Sequence, residues 1–213
     1  MIRKTALALL LLSSLASLTA NAEEAAPKAD PAKAQAIVNG VCVACHGADG
    51  NSPVPTNPSL AGQGPEYIAK QLSNFQSIGG KPALRQNPIM NGMAAALSDD
   101  DKRNLGAYFA SQKLRPSVVK DEKLIALGQK LWRAGDLTKG IPACAGCHGA
   151  TGSGLPAKYP RLAGQYAEYT ETQLKAFRAG DRANDPEAAM RTIAAKMSDP
   201  EIKAVAEYAA GLR

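Results

Sequence analysis

The 213-residue sequence predicts an all-α fold made of two copies of one small domain in tandem. Three observations carry the expectation. The chain repeats itself at a nearly constant offset, apolar residues recur at helical spacing in both copies, and no alternating run is long enough to make more than a few residues of strand.

The repeat is the most informative of the three. Cys42-Val-Ala-Cys45-His46-Gly47-Ala48 returns as Cys144-Ala-Gly-Cys147-His148-Gly149-Ala150 at an offset of 102. Pro58-Ser-Leu60-Ala-Gly-Gln63 returns as Pro160-Arg-Leu162-Ala-Gly-Gln165 at the same offset, and Tyr67, Gln71, Leu72 and Phe75 return as Tyr169, Gln173, Leu174 and Phe177. After a two-residue deletion the offset is 100, matching Met90, Ser98-Asp99 and Tyr108 to Met190, Ser198-Asp199 and Tyr208. A match this long reflects duplication of a whole domain.

Taken in chain order, the first segment is a leader. Arg3 and Lys4 precede an uncharged Leu- and Ala-rich run from Thr5 to Leu18, and Ala20-Asn21-Ala22 is a small-x-small cleavage site. The run is shorter than the roughly 20 residues that span a bilayer, so residues 1–22 read as a secretory signal cut after Ala22. Residues 23–115 form domain one, 116–120 a linker in which Pro116 interrupts the helical pattern, and 121–213 domain two. Residues 23–31, rich in Ala, Pro and charge, read as a loose start of the mature chain. In each domain a first helix leads to the Cys pair, over 32–43 and over 121–134, the latter followed by an insertion. A middle helix is predicted over 66–77 and 167–179, where Ile68, Leu72 and Phe75 share one face. A last helix starts at Ser98 and at Ser198, where Ser198-Asp-Pro-Glu201 is a capping box with Pro in the first turn.

Charge excludes one class of partner. The formal +6 becomes +4 once Arg3 and Lys4 leave with the signal, residues 23–120 carry 10 basic against 8 acidic side chains, and residues 121–213 carry 13 against 11. With no basic run interleaved with aromatics, nothing points to nucleic acid. No segment after the leader is apolar for long enough to be a transmembrane helix, so the mature chain is expected to be soluble.

Cys-x-x-Cys-His is the signature of covalent haem c attachment. Two thiols three residues apart reach two vinyl groups of one porphyrin, and the next residue sits under the iron. A lone CxxC also fits a disulfide, a thioredoxin-like redox pair or half a zinc site. Here the motif occurs twice and uses all four cysteines and both histidines of the chain, Cys42, Cys45, His46 and Cys144, Cys147, His148. The thioredoxin reading lacks its βαβ pattern, and a four-Cys zinc site leaves both histidines without a role. Two covalent haems are therefore expected. They would also fill interiors otherwise poor in aromatics, and their four propionates would bring the net charge near zero.

With both histidines used, a second iron ligand must be another residue type, and a thioether favours the reduced iron. Of five methionines, only Met90 and Met190 share a register, 44 and 42 residues after their histidines; Met93 aligns with Ile193 and Met197 with Leu97. Met90 and Met190 are the expected ligands, and Met93 and Met197 read as core filler. A ligating His needs an acceptor for its other ring N–H. Pro58 and Pro160, each 12 residues after the histidine, offer a carbonyl, although a plain turn accounts for them equally well.

These features together, with the Pro-x-Leu and the final helix, resemble class I cytochromes c. The pairing, with ACHG and DGNS in domain one and YPRLAGQ and MRTIAAK in domain two, resembles the dihaem cytochrome c4 family across essentially the whole mature chain. The resemblance implies two class I domains, each wrapped around a covalent haem c. It implies attachment through Cys42, Cys45, Cys144 and Cys147, axial ligation by His46, Met90, His148 and Met190, and Pro58 and Pro160 as acceptors of the histidines. It also implies periplasmic electron transfer from a quinol-oxidising complex or other donor towards a terminal oxidase, often in loose contact with the membrane. One departure concerns the crossing of first and last helices, where such folds place Gly against an aromatic. Domain two offers Gly128 opposite Tyr208, whereas domain one has only Ala34 or Gln35 near Tyr108, which weakens the expected crossing there.

The expected function is one-electron transfer without catalysis, since iron held by His and Met has no open position. The competing expectation is a dihaem redox enzyme or its electron-transfer subunit, peroxidase-like or thiosulfate-oxidising; a peroxidase needs an acid/base group beside the iron, and no spare His exists. Trp132, Tyr67 and Tyr169 read as haem-pocket packing or propionate contacts. Lys81, Arg85, Arg178 and Arg182 read as solvated surface, and the 47–58 and 149–160 loops as wrapping the haem edge.

Overall fold

A computed structural model of the chain describes residues 28–213. The leader 1–22 and residues 23–27 lie outside the described residues. The described chain is helical, with isolated β-bridges but no strand.

Domain one begins with α1, residues 31–46, which changes pitch along its length. A 3₁₀ turn Pro31–Ala34 is capped by Asp30, an α-turn Gln35–Ile37 follows, then a π-turn Val38–Cys42 and an α-turn Val43–His46. Gly40 within the π-turn is consistent with its looser winding. Helix α2 is Pro65–Asn74, with Pro65 at its first position and Glu66 in the first turn. It ends three residues short of the predicted boundary because Phe75 and Gln76 turn back to the Gln71 and Ser73 carbonyls. Helix α3, Pro88–Ala94, is capped by Asn87, and α4, Asp99–Ala110, opens with a capping box in which Asp101 Oδ2 accepts from the Ser98 N–H at 2.9 Å. Ala34, Val38, Ile68, Leu105 and Phe109 form the buried core.

Domain two repeats the plan with tighter helices. A 3₁₀ turn Glu122–Leu124 capped by Asp121 leads into α5, Ile125–Ala134, followed by α6, Ala145–His148, α7, Ala167–Ala179, α8, Ala189–Ala194, and α9, Asp199–Gly211. The ends of α7 coincide with the sequence expectation because Gly180 adopts a left-handed φ of 83° that terminates it. The insertion after α5 is a tight loop in which Asp136 and Ile141 exchange both backbone hydrogen bonds at 2.8 Å. Its tip, Leu137, is 88 % exposed. The core is larger, built on Leu131, Trp132, Ile141, Leu174, Met197, Ile202, Val205, Tyr208 and Ala209.

The first and last helices cross differently in the two domains. A Cβ on Gly128 would lie 2.2 Å from the Ala204 carbonyl oxygen and 2.7 Å from Tyr208 Cβ, so α5 and α9 touch backbone to backbone. Domain one achieves the crossing with Ala34, fully buried against α4, because α1 is a 3₁₀ turn there and the Asp30 N–H is tied to Asn104 Oδ1 at 2.7 Å. Its backbone-close contact falls elsewhere, at Gly106, where a Cβ would lie 2.4 Å from the Pro65 carbonyl oxygen. Gly128→Ala is accordingly expected to destabilise domain two by about 1–3 kcal/mol through overpacking, whereas Ala34→Gly costs domain one about 1 kcal/mol at most. Chemical denaturation of both variants checks this.

The domains meet through paired contacts related by a pseudo-twofold axis. Gln165 Oε1 accepts from the Ser59 N–H and its Nε2 donates to the Ser59 carbonyl, at 3.0 and 2.9 Å. Gln63 repeats this on Arg161 at 2.8 and 3.0 Å. Residues 63 and 165 are one repeat apart, as are 59 and 161, so the interface is isologous like that of a symmetric dimer. The linker lies against domain two, with the Ser117 N–H donating to the Gly164 carbonyl and the Lys120 N–H to Glu207 Oε2.

Candidate haem sites

In each domain the Cys-x-x-Cys-His motif winds through the end of a helix, which stops immediately after the histidine. Gly47 and Gly149 take left-handed φ values of 76° and 82°, a conformation that favours glycine, and a Cβ at Gly47 would lie 2.5 Å from the Asn51 carbonyl oxygen. The following loop folds back beneath the histidine. The Gly50 carbonyl accepts from the Leu60 and Ala61 N–H groups, and the Gly152 carbonyl from those of Leu162 and Ala163. This closure carries the Pro58 carbonyl to 2.9 Å from His46 Nδ1 and the Pro160 carbonyl to 3.0 Å from His148 Nδ1. A carbonyl can only accept, so Nδ1 carries the proton and Nε2 is left with its lone pair, the tautomer a metal requires. Burial pushes both histidine pKa values below the usual range, against the opposing pull of the proline carbonyls.

Cys45 and Cys147 are exposed, and Cys42 and Cys144 half-buried. Burial pushes the Cys42 and Cys144 thiols up to about 11. Among the described residues no three His, Cys, Asp or Glu side chains gather as a metal cluster, which leaves the zinc alternative without a ligand set. A haem fits the donor set: one half-buried and one exposed thiol a turn apart, followed by a histidine whose ligating nitrogen is bare. Met190, on α8, lies against the domain-two core together with Cys144, Ala145 and Leu162. Met90, on α3, is half-buried, its backbone N–H held by Asn87 Oδ1 at 2.9 Å. Met197 is core, and Met93 is exposed rather than buried filler.

The histidine surroundings differ between the domains. His148 has Tyr159 edge-on at 6.1 Å and Trp132 at 6.4 Å between ring centroids, and Trp132 Nε1 donates to the Ala150 carbonyl. At the equivalent of Tyr159, domain one has Asn57, which donates to the Cys45 carbonyl.

A further expectation fails. Arg85 and Arg182 are not solvated surface; they are 9 % and 8 % exposed, at the domain interface. Arg85 donates to Gln71 in its own domain and to Tyr169 and Gln173 across the interface, at 2.7, 2.9 and 2.8 Å. Arg182 donates to Gln173 in its own domain and to Tyr67 and Gln71 across it, at 2.9, 3.1 and 3.2 Å. Tyr67 and Tyr169 are thus interface residues. Burial opposes the charge on Arg182, but the Tyr67 and Tyr169 oxygens and the Asp185 carboxylate override it and hold its pKa above the ordinary value. Lys81 is exposed, and Arg178 is partly so, reaching the Met197 carbonyl and Asp199. The two arginines correspond at an offset of 97, because domain two loses five residues before Arg182 and regains three before Met190. A comparison of Arg85-Gln-Asn-Pro88 with Arg182-Ala-Asn-Asp-Pro186 would have paired them.

The sequence model of the cytochrome c family matches residues 31–113 and again 125–212. The chain is 48 % identical over 193 residues to cytochrome c4 of Thiocapsa roseopersicina, covering 89 % of this chain and 97 % of that one. It is 39 % identical over 172 residues to a thiosulfate dehydrogenase electron acceptor of Thiomonas intermedia, covering 79 % and 77 %. The crystal structure of reduced recombinant cytochrome c4 from Pseudomonas stutzeri superposes with a TM-score of 0.81 at 43 % identity, covering 87 % of this chain and 100 % of that one. Duplicated domains, duplicated attachment motifs and these relatives agree: the chain belongs to the cytochrome c4 family of dihaem electron carriers, with one covalently attached haem c in each domain.

Proposed function

We propose that the chain is a periplasmic one-electron carrier between a quinol-oxidising complex and a terminal oxidase, working in loose contact with the membrane surface. Cys42 and Cys45 anchor one haem and Cys144 and Cys147 the other. His46 with Met90, and His148 with Met190, would hold the two irons. The observation that carries this reading is the pair of histidine–proline bonds at 2.9 and 3.0 Å, which present one bare imidazole nitrogen per domain. Each haem, when bound, supplies an iron that changes oxidation state by one electron. The chain's own residues do the rest. The proline carbonyls fix the imidazole orientation and raise its basicity, and the methionine thioethers would hold each iron with a soft donor that favours its reduced state. The buried apolar cores keep water away.

The export signal supports periplasmic placement, and among the described residues no helix is long and apolar enough to cross a membrane. A peroxidase reading is disfavoured because the two histidines, the only ones in the chain, are both proximal. The similarity to a thiosulfate dehydrogenase electron acceptor supports a second donor for the same carrier role. The test is reconstitution. The purified holoprotein added to membranes containing a quinol-oxidising complex and an oxidase is expected to raise quinol-dependent oxygen uptake, without catalytic consumption of hydrogen peroxide. Peroxide turnover with high-spin resting iron would overturn the carrier assignment.

A further inference from the structure

The pseudo-twofold interface is filled by a side chain on one side of the axis and leaves a cavity on the other. Tyr166, half-buried, precedes α7 with φ −59° and ψ 132°, and its hydroxyl donates to the Ser52 carbonyl of domain one at 2.7 Å. Its counterpart one repeat earlier is Gly64, which precedes α2 with φ −56° and ψ 129°. The backbone is the same at both places, so its conformation does not demand glycine. Crowding does not demand it either, since within 4 Å a Cβ on Gly64 would meet only Tyr67 Cβ, at 3.8 Å. Where the Tyr166 ring has no counterpart, a cavity of about 230 Å³ lies between the domains, walled by Gly64, Pro65 and Ala110 of domain one and by Leu155, Pro156 and Tyr159 of domain two. Roughly 150 Å³ of apolar cavity is enough to hold benzene. The far wall is shaped in advance. Leu155 and Tyr159 exchange both backbone hydrogen bonds at 3.1 Å and hold Ala157 between them at a left-handed φ of 66°, a strained state of the kind that gathers at ligand sites. Gly154, the counterpart of Ser52, also lines the cavity, and among the described residues no backbone N–H donates to its carbonyl. The cysteines, histidines and methionines assigned to the haems are not among the walls.

We propose that this cavity binds one hydroxylated aromatic ring, a small free phenol or hydroquinone, in the place that the Tyr166 phenol takes across the axis. The ring is received by the apolar walls, and its hydroxyl donates to the Gly154 carbonyl as the Tyr166 hydroxyl does to that of Ser52. Because the walls come from both domains, binding is linked to their association, and a bound ring stabilises the interface. The site stands apart from the haem reading and does not depend on it.

The test is calorimetric titration of the purified dihaem protein with p-cresol, the tyrosine side chain as a free molecule, with visible spectra recorded alongside. The unaltered protein is expected to bind one p-cresol per chain without a change in its haem spectrum. Gly64→Tyr supplies the missing ring and is expected to abolish binding. Tyr166→Gly opens the matching space and is expected to raise the stoichiometry to two. Toluene, which lacks the hydroxyl, should bind the unaltered protein several-fold more weakly. Should Gly64→Tyr fail to accumulate, Gly64→Val, which fills part of the space, is expected to weaken p-cresol binding several-fold. No binding at millimolar p-cresol, binding that the Gly64 variants leave unchanged, or toluene held as tightly as p-cresol would overturn the site. So would a spectral change that puts the ring on an iron, and a stoichiometry still of one in Tyr166→Gly would break the correspondence with Tyr166 on which the site rests.

Discussion

Replacing Met190 with alanine is expected to lower the reduction potential of one haem on the order of 0.1 V or more, within the roughly 0.8 V over which axial ligands set haem potentials. Met90→Ala is expected to do the same to the other haem. A thioether is a soft donor that stabilises ferrous iron, and losing it leaves water or nothing in its place. At about 59 mV per tenfold for one electron, 0.1 V is a change of roughly fifty-fold in the reduction equilibrium. The effect should stay within one domain because the two methionines sit on separate elements, Met90 on α3 and Met190 on α8. A potentiometric titration in which either Met variant leaves both potentials unchanged would transfer the ligand role to another residue.

Deleting a thiol pair should have the other large effect. Cys42→Ala combined with Cys45→Ala is expected to halve the haem that survives denaturation, read as chain mass, and Cys144→Ala with Cys147→Ala to halve it likewise. The structural consequences should differ. Domain one has a core of five buried residues, four aliphatic and one Phe, whereas domain two buries nine, including Trp132 and Tyr208. The smaller core depends more on a bound group to fold, since small domains bury too little surface to be stable alone. Loss of the first thiol pair should therefore make domain one protease-sensitive while domain two stays intact, and loss of the second pair should loosen domain two far less. Equal sensitivity of the two domains would contradict this.

The parts of the molecule that were legible in the sequence are those encoded locally. Cys-x-x-Cys-His needs five consecutive residues, and the start of α9 needs only Ser198 through Glu201, whose side chain accepts from the Ser198 N–H at 2.8 Å. The close approach at Gly128 was legible because a missing side chain opposite an aromatic has few other uses. The π-turn in α1 left no comparable mark, since apolar residues line one face whether the winding is α or π. The end of α2 was overestimated because Gln76 extends the helical pattern although its amide side chain is spent on the Ala94 and Leu97 carbonyls instead. The Arg85–Arg182 pair was missed for a different reason. Two indels of opposite sense shifted its register, and a buried arginine looks like a surface one until the partner domain is in place. Contacts made between the repeats cannot be read from either repeat alone, which is why Gln63 and Gln165 stood out as matched residues without a visible task.

The account depends most on two haems per chain, each low-spin and each held by imidazole and thioether. A spectroelectrochemical titration of the purified, unaltered protein tests it directly. Two one-electron steps, with low-spin spectra in both oxidation states and neither iron binding carbon monoxide readily, are the predicted result. A single step, or a five-coordinate spectrum at either iron, would contradict it.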